Sequence, residues 1–495
     1  MSMKSLFLGK SAPQDDVYNN APLWRLIMWP LGESGRMLFL MVMMLLSFYV
    51  TGIAGVGVVL VGAVITGTRV FDAINDPLIG LFIDKTQGKF GKIRPFVIGS
   101  WLLMTSSAFL IFFTTHHVPE NIRLIYFIIV YVLYMLGYSA LGMTYAAANP
   151  IITNNPKQRP VIFSFSMIFT SLIGSGFGMY MGTIAPRHGG FGSVGLFHEL
   201  LITFTILSSI MTVGALIAIW KLDNPESFSI GGRPKITLKD MWLTLKGNRP
   251  LQIFMLTNIS DRLAQNIANN QIVNVMLFGI IIGDFTVMGA ISGVMLIPNI
   301  ITLLFGMKFI GKFGAKKAYV YVIWVAIIFG TLTASVLMFG DPTQIRFSSI
   351  GMMTIAFVGF NFVFNVARLL SQVCVGPMRP DIIDYETYRS GKFAPGIIIA
   401  TDSFIDKMVV SFYPALVSVV VASIGFREYL PDLDTPLTNS IMAVTIFLGF
   451  GVLFIAWIIS LICMKFYPLD REKMVEIQAE LKKRREAESQ VASEA

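Results

Sequence analysis

Long apolar runs separated by short polar segments follow one another along this chain from residue 26 to residue 465. A helix needs about 20 consecutive apolar residues to cross a bilayer, so runs of this length predict spanning helices. The runs lie at 26–53, 56–84, 95–115, 122–148, 160–185, 199–221, 250–282, 286–310, 319–340, 347–378, 397–425 and 439–465. The pattern therefore predicts an all-α membrane protein with twelve transmembrane helices.

The composition agrees with a polytopic membrane protein. Hydrophobic residues make up 55% of the chain and charged residues only 14%, whereas about a quarter of the residues of a soluble domain are charged. The cysteines, Cys374 and Cys463, both lie in apolar runs and suggest neither a disulfide framework nor a metal site. The amino terminus has no signal-peptide pattern, so we expect no cleaved leader.

Lys and Arg residues concentrate in alternate loops. Most follow the second, fourth, sixth, eighth and tenth runs, for example Lys89, Lys157, Lys239, Lys316 and Arg389. Basic residues accumulate in cytoplasmic loops. We therefore predict a multi-pass protein of the cytoplasmic membrane with both termini inside the cell. The net charge of +9 follows from these loops and does not indicate nucleic-acid binding.

The longest internal hydrophilic segment divides the runs into two sets of six. We predict an N-terminal half at 1–221, a cytoplasmic middle loop at 222–249, a C-terminal half at 250–465 and a charged tail at 466–495. The phrases GKFGK at 88–92 and GKFGA at 311–315 follow the second helix of each half, which indicates an internal repeat. Paired six-helix repeats around a central site are typical of major facilitator transporters.

Two carboxylates interrupt the second run, in the phrase FDAINDP at 71–77. Asp72 and Asp76 are four residues apart and share one helix face, with Asn75 beside them. A charge in the middle of a bilayer costs about 2.5–3.5 kcal/mol on insertion scales. We therefore expect the two carboxylates to share a monovalent cation or a proton. The alternative is a structural ion pair between Asp72 and Arg69.

Further polar side chains lie in the first, seventh, tenth and eleventh runs. Glu33 and Arg36 are three residues apart and can form a local salt bridge. The seventh run has a polar stripe, which either lines a polar cavity or makes hydrogen bonds between helices. The candidates for substrate contact in the last three of these runs are Asp261, Arg262, Asn266, Arg368, Gln372 and Asp402.

No catalytic set of residues and no ATP-binding phrase is present in the sequence. We therefore expect a transporter and not an enzyme, driven by an ion gradient or by simple facilitation. It needs no cofactor, and Na⁺ or H⁺ is the expected coupling ion. Apart from Na⁺ at Asp72 and Asp76, we expect no metal site.

At residues 69–96 the chain reads RVFDAINDPLIGLFIDKTQGKFGKIRPF, which closely resembles the signature of the glycoside-pentoside-hexuronide:cation symporters. This family is the melibiose-carrier branch of the major facilitator superfamily. A second stretch, RPDIIDYETYRSGKFAPG at 379–396, looks like that family's loop between helices ten and eleven. The resemblance spans essentially the whole chain and implies the major facilitator fold and cation-coupled sugar symport.

The resemblance also implies roles for individual residues. It assigns the cation to Asp72, Asn75, Asp76 and Ser139, with Lys407 nearby. The three sugar-site positions of the melibiose carrier fall on Arg36, Gly142 and Met167, and all three differ in chemistry from that carrier. The residues expected to act in cytoplasmic gating are Asp84, Lys85, Arg94, Asp381 and Asp384.

The changed sugar site favours a different substrate. Arg36, Arg262 and Arg368 suggest an anionic ligand such as a uronide, because a guanidinium binds a carboxylate through two parallel hydrogen bonds. We thus predict a monomeric, cation-coupled symporter of a sugar, glycoside or oligosaccharide. The alternatives are a lysolipid or amphiphile carrier of the same superfamily and a non-transporting membrane sugar sensor.

Overall fold

The computed structural model describes residues 21–85, 91, 93–153, 155, 158–223, 238–391 and 395–494, and all regular structure in that part of the chain is helical. The helices of the N-terminal half are α1 Leu23–Ile53, α2 Val58–Lys85, α3 Ile93–Thr114, α4 Glu120–Ile152, α5 Arg159–Arg187 and α6 Val194–Ile219. Those that follow are α7 Leu238–Gly247, α8 Arg249–Ala268, α9 Gln271–Ile281, α10 Thr286–Phe313, α11 Ala315–Phe339, α12 Met352–Val375, α13 Met378–Ser390, α14 Pro395–Val410, α15 Tyr413–Ser423, α16 Asn439–Phe466 and α17 Arg471–Glu494.

The twelve predicted spans all appear as helices. Among the described residues, ten helical segments are long and apolar enough to cross a membrane. The second and seventh predicted spans are helical as well, as α2 and as α8 followed by α9. The all-α fold class is therefore confirmed.

Two predicted spans are broken into shorter helices. The seventh breaks at Asn269 and Asn270, where the Asn270 side chain accepts a hydrogen bond from Ile272 N at 2.9 Å and so caps α9. The eleventh breaks between Val410 and Tyr413, and Pro414 lies in the first turn of α15, where a missing N–H costs no hydrogen bond. The predicted spans ran through both breaks, because apolar residues resume directly after Asn269, Asn270 and Gln271 in the seventh span and after Pro414 in the eleventh.

Each half packs as a bundle. In the N-terminal half, α1 contacts α5 and α6, and α4 contacts α2 and α3; in the C-terminal half, α8 contacts α14 and α16, and α11 contacts α12. The halves meet along α5 with α10 and along α2 with α15. The first of these contacts is close, because Gly182 and Gly289 face each other: a Cβ added at Gly182 would lie 2.7 Å from Gly289 Cα.

Short helices outside the bundles lie at one end of the molecule. The middle loop contains α7, whereas its residues 224–237 lie outside the described part. The tail is helical, as expected, but α17 is also docked: Ile477 and Leu481 are buried, and Gln478 donates to Asp384 Oδ2 of α13 at 2.6 Å. We call this end, which carries α7, α13 and α17, the basic end. The loops 188–193 and 424–438 form the opposite end.

Candidate functional site

A cavity of about 800 Å³, lined by apolar as well as polar side chains, lies between the two halves, within the size range of small-molecule sites. Its walls come from α1, α5, α8, α9, α10, α12 and α16. The polar residues that line it are Ser166, Thr170, Ser171, Ser175, Asn269, Gln271, Asn274, Ser292, Asn299, Asn361, Asn365, Arg368 and Gln372. Arg368 is the one charged side chain among the described residues of this lining. The cavity thus offers many amide and hydroxyl groups, one cation and no carboxylate from those residues.

One face of α12 supplies the charged wall of this cavity. Asn361, Asn365, Arg368 and Gln372 recur every three or four residues and so lie on the same side of the helix. The Arg368 guanidinium donates to the Asn269 carboxamide at the break between α8 and α9 and lies 5.9 Å from the ring centre of Phe364. Because its hydrogen-bond partner is neutral, the charge of Arg368 is not cancelled by that contact.

Asp72 and Ser139 come together inside the N-terminal half. The Ser139 hydroxyl donates to Asp72 Oδ1, which joins α2 to α4. Asn75 lies one turn further along α2, and its Nδ2 is buried without a hydrogen-bond partner in the described part of the chain. The side chain of Asp76 lies outside that part. Lys407 is exposed on α14. The structure thus places Asp72, Asn75 and Ser139 close to one another.

Arg36 occupies space that Gly142 leaves open. A Cβ at Gly142 would lie 3.0 Å from Arg36 Cζ, so the guanidinium of Arg36 packs directly on the α4 backbone. The same guanidinium lies 4.2 Å from the ring centre of Tyr138, in a cation–π contact. Glu33 instead accepts a hydrogen bond from Ser166 at 3.3 Å. A side chain larger than that of glycine at position 142 would therefore press on the Arg36 guanidinium.

Arg69 has a partner that sequence reasoning missed. Its Nη2 donates to the Tyr413 hydroxyl at 3.1 Å, and its guanidinium lies 5.0 Å from that ring. This contact joins α2 of one half to α15 of the other half. The expected alternative partner of Arg69 was Asp72. Nothing in the local sequence signals Tyr413, which is 344 residues away.

Several predicted substrate residues lie elsewhere. Arg262 pairs with Asp406 at 2.5 Å, and Asp402 pairs with Arg379 at 2.8 Å. Asp261 is buried and accepts a hydrogen bond from Trp457 Nε1 at 2.7 Å. Asn266 donates to the backbone oxygen of Arg262 at 2.8 Å. The cavity lining does not include Asp261, Arg262, Asn266 or Asp402.

Of the nine predicted substrate positions, Met167, Arg368 and Gln372 line the cavity, whereas Arg36 and Gly142 lie outside its lining. The cavity residues that the prediction missed include Ser166, Asn299, Asn361 and Asn365. The four-residue spacing of Asn361 and Asn365 on the face of Arg368 was the available signal.

Two of the predicted gating residues make side-chain contacts with the middle loop and the tail. Arg94 Nε pairs with Asp223 Oδ2 at 3.3 Å, and the same oxygen accepts from Arg94 N at 2.8 Å. Asp384 binds Gln478 of the tail, and Asp381 is partly buried on α13. The side chains of Asp84 and Lys85 lie outside the described part of the chain. In this conformation Arg94 thus binds the start of the middle loop and Asp384 binds the tail, and the gating role of these residues stays a prediction.

Known proteins resemble this chain in sequence and in fold. A family profile described as MFS/sugar transport protein matches residues 31–471. The inner membrane symporter YicJ of Escherichia coli (strain K12) is 25% identical over 402 residues, covering 79% of this chain and 81% of that protein. The glucuronide carrier protein homolog of the same organism is 22% identical over 488 residues, covering 95% and 98%.

A solved structure shares the fold. The crystal structure of nucleoside transporter NupG superposes with a TM-score of 0.56 at 15% identity, covering 90% of this chain and 99% of that one. At this identity the likeness concerns the fold alone. Because the family profile covers most of the chain, this protein belongs to the MFS/sugar transport protein family and is a multi-pass membrane transporter with a small-molecule sugar or glycoside substrate.

Proposed function

We propose that this protein couples the entry of a sugar or glycoside to the entry of Na⁺ or H⁺ across the cytoplasmic membrane. The observation that carries the proposal is the Asp72–Ser139 hydrogen bond between α2 and α4, with the Asn75 amide buried nearby. A carboxylate held inside a spanning helix is costly unless a cation or proton neutralises it. Binding of that ion is therefore the step that links the gradient to the cavity.

The cation site consists of Asp72, Asn75, Asp76 and Ser139. The carboxylate, carboxamide and hydroxyl oxygens of these residues are hard ligands of the kind that a monovalent cation takes. Lys407 is the basic residue that the family resemblance assigns to the neighbourhood of these carboxylates. The name of the relative YicJ, an inner membrane symporter, supports both ion coupling and the membrane assignment.

The substrate we favour is anionic, with its carboxylate on Arg368 and its hydroxyl groups on the carboxamides of α9, α10 and α12. The lining combines Arg368 with Asn299, Asn361 and Asn365. A guanidinium whose hydrogen-bond partner is neutral binds a carboxylate with charge-assisted hydrogen bonds. The name of the relative called a glucuronide carrier homolog supports this choice. Arg36, which packs on Gly142, is a second cation that attracts the same ligand as the ligand passes along α1.

Transport proceeds by rocking of the two halves, 1–221 and 250–465, around this cavity. Basic residues of the connecting loops place both termini in the cytoplasm. Asp84, Lys85, Arg94, Asp381 and Asp384 act at that end when the halves close on each other. A single chain encloses the cavity, which is the basis for proposing a monomer.

Uptake into proteoliposomes tests the substrate and the coupling together. A glucuronide and the matched neutral glucoside are offered under an imposed Na⁺ gradient and under an imposed pH gradient. We expect Arg368→Gln to lower glucuronide uptake at least about tenfold and to leave glucoside uptake near its original level, since one charge-assisted pair is lost. Arg346→Gln, in an exposed loop, is the matched control.

Equal loss of both substrates in Arg368→Gln would contradict the anionic substrate. Uptake that neither gradient stimulates would contradict symport.

A further inference from the structure

The loops at the end opposite the basic end tie the two halves together. The loop 188–193 joins α5 to α6 in the N-terminal half, and the loop 424–438 joins α15 to α16 in the C-terminal half. We propose that Asp432 and Phe191 of these loops form a latch that keeps this end of the cavity closed, and that release of Asp432 lets it open. The inference rests on the alternating-access transport proposed above.

The Asp432 carboxylate binds backbone N–H groups of the other half. Its two oxygens accept from Phe191 N at 3.0 and 2.9 Å, and Oδ2 also accepts from Gly192 N at 3.0 Å. Asp432 is held in position from its own loop, because Leu433 N donates to Oδ1 at 2.7 Å and the Thr435 hydroxyl accepts from Asp432 N at 2.9 Å. Hydrogen bonds to an ionised acceptor are about twice as strong as neutral ones.

The Phe191 ring fills the space between the halves. It is 1% exposed. Its centre lies 4.7 Å from that of Phe48 in α1 and 5.6 Å from that of Phe285 just before α10, the latter in an edge-to-face contact. One aromatic side chain of the N-terminal half is thus inserted against the C-terminal half. When the halves separate at this end, both the ring contacts and the Asp432 hydrogen bonds must break.

A glycine makes the close approach possible. Gly190 has a φ of +105°, which favours glycine, and a Cβ there would lie 2.6 Å from Asp432 Oδ1. Any side chain at this position would push the carboxylate away from Phe191 N. Gly190 and Asp432 therefore allow the latch to be broken from either half.

The latch lies next to the cavity. Leu433, adjacent to Asp432, packs on Gly279 of α9, and the neighbouring residue Phe278 lines the cavity. A second tie between the halves lies beside it, where Val58 N donates to Arg427 O at 2.9 Å. The latch is made of backbone N–H groups and one carboxylate. Neither Asp432 nor Phe191 is among the described residues that line the cavity, so the latch can be tested with the cavity empty.

Cysteine accessibility tests the latch without any substrate or coupling ion. In a Cys374→Ala/Cys463→Ala background, Asn274→Cys places a thiol in the cavity wall, and Glu428→Cys marks the latch side of the membrane. A membrane-impermeant maleimide is applied to that side in oriented vesicles. We expect Asp432→Ala and Gly190→Ala each to raise the labelling rate of Asn274→Cys about tenfold, by shifting the population toward the open state.

Asp284→Ala is the matched control, because Asp284 accepts a hydrogen bond within its own half, from Thr286 N at 3.0 Å. We expect it to leave the labelling rate unchanged, and Asp432→Asn to give an intermediate rate. The melting temperature in detergent identifies any variant that does not fold. If either Asp432→Ala or Gly190→Ala does not fold, the other variant still tests the latch. An unchanged labelling rate in a folded latch variant, or an equal rise in Asp284→Ala, would overturn the proposal.

The readout also separates this inference from the proposed symport. A rise in labelling without ion-coupled uptake leaves the latch standing and removes symport. Symport with no change in labelling removes the latch alone.

Discussion

The two halves of this transporter differ in the partners of their helical arginines. In the N-terminal half, Arg36 and Arg69 lie against the rings of Tyr138 and Tyr413. Within the described residues, the Nε of each of these arginines is buried without a hydrogen-bond partner. An aromatic ring attracts a cation through its face and uses none of the guanidinium N–H groups. The charge of each of these arginines is thus not cancelled by its contact with the ring.

In the C-terminal half, two arginines of the spanning helices and α13 that lie outside the cavity are paired with carboxylates. Arg262 pairs with Asp406, and Arg379 pairs with Asp402. Asp402 is 4% exposed and also accepts from Asn258 Nδ2 at 3.4 Å. These pairs connect α8, α13 and α14, so their first role is to hold helices together. Arg368 is the exception, since its partner Asn269 is neutral.

A guanidinium whose neighbour is neutral keeps its charge available to a ligand, whereas an ion pair with a carboxylate cancels most of that charge. We therefore propose that Arg36 and Arg368 act in transport, together with Asp72 of the proposed coupling site, whereas the ion pairs of Arg262 with Asp406 and of Arg379 with Asp402 hold helices together. Four substitutions test this division, beginning with the one that should have the greatest effect.

Asp72→Asn should abolish concentrative uptake. The amide keeps a hydrogen bond with Ser139 but carries no charge for a cation to neutralise, so the gradient no longer drives accumulation. Exchange of labelled for unlabelled substrate at equal concentrations should continue. Concentrative uptake and substrate exchange are both measured in vesicles. Asp341→Asn, in an exposed loop, is the control. Undiminished accumulation in Asp72→Asn would remove this residue from the coupling site.

Arg379→Leu should destabilise the protein and leave the substrate preference unchanged. Removing one partner of a buried ion pair costs about 3–5 kcal/mol, and the lower end applies here because the Arg379 side chain is 39% exposed. Adding Asp402→Asn should restore most of that loss, since no unpaired buried charge remains. Thermal unfolding in detergent measures both variants. Additive losses in the double variant would argue against a structural pair.

Gly142→Ala should weaken substrate binding with little effect on stability. The added methyl group would lie 3.0 Å from Arg36 Cζ and displace the guanidinium from Tyr138. We expect a loss of affinity of about tenfold, or about 1.4 kcal/mol. Gly176→Ala is the matched control, because no atom lies within 4 Å of its added Cβ. Equal binding by Gly142→Ala and the control would remove Arg36 from the substrate path.

Arg262→Gln should have the smallest effect. The Arg262 side chain is 49% exposed, and an exposed ion pair contributes about 0–1 kcal/mol. We expect uptake kinetics within about twofold of the original protein, a difference of less than 0.5 kcal/mol at ~25 °C. A large rise in KM in this variant would indicate that Arg262 contacts the substrate, and it would contradict the difference between the two halves.

The sequence by itself determined the helical architecture and the position of the cation candidates. A spanning helix is a local property, because about 20 apolar residues suffice to define it. The shared face of Asp72 and Asn75 follows from helix geometry alone. Helix geometry also gives the shared face of Asn361, Asn365, Arg368 and Gln372, although only Arg368 and Gln372 were predicted to contact substrate.

Tertiary structure decided which charges are already paired. Arg262 and Asp406 are 144 residues apart, and Arg69 and Tyr413 are 344 apart, so no local pattern predicts either contact. It also decided that Gly142 makes room for Arg36 and that Gly190 makes room for Asp432. The type of a side chain determines what it can bind. Which of its donors and acceptors are still available depends on neighbours that only the folded chain brings within hydrogen-bond distance.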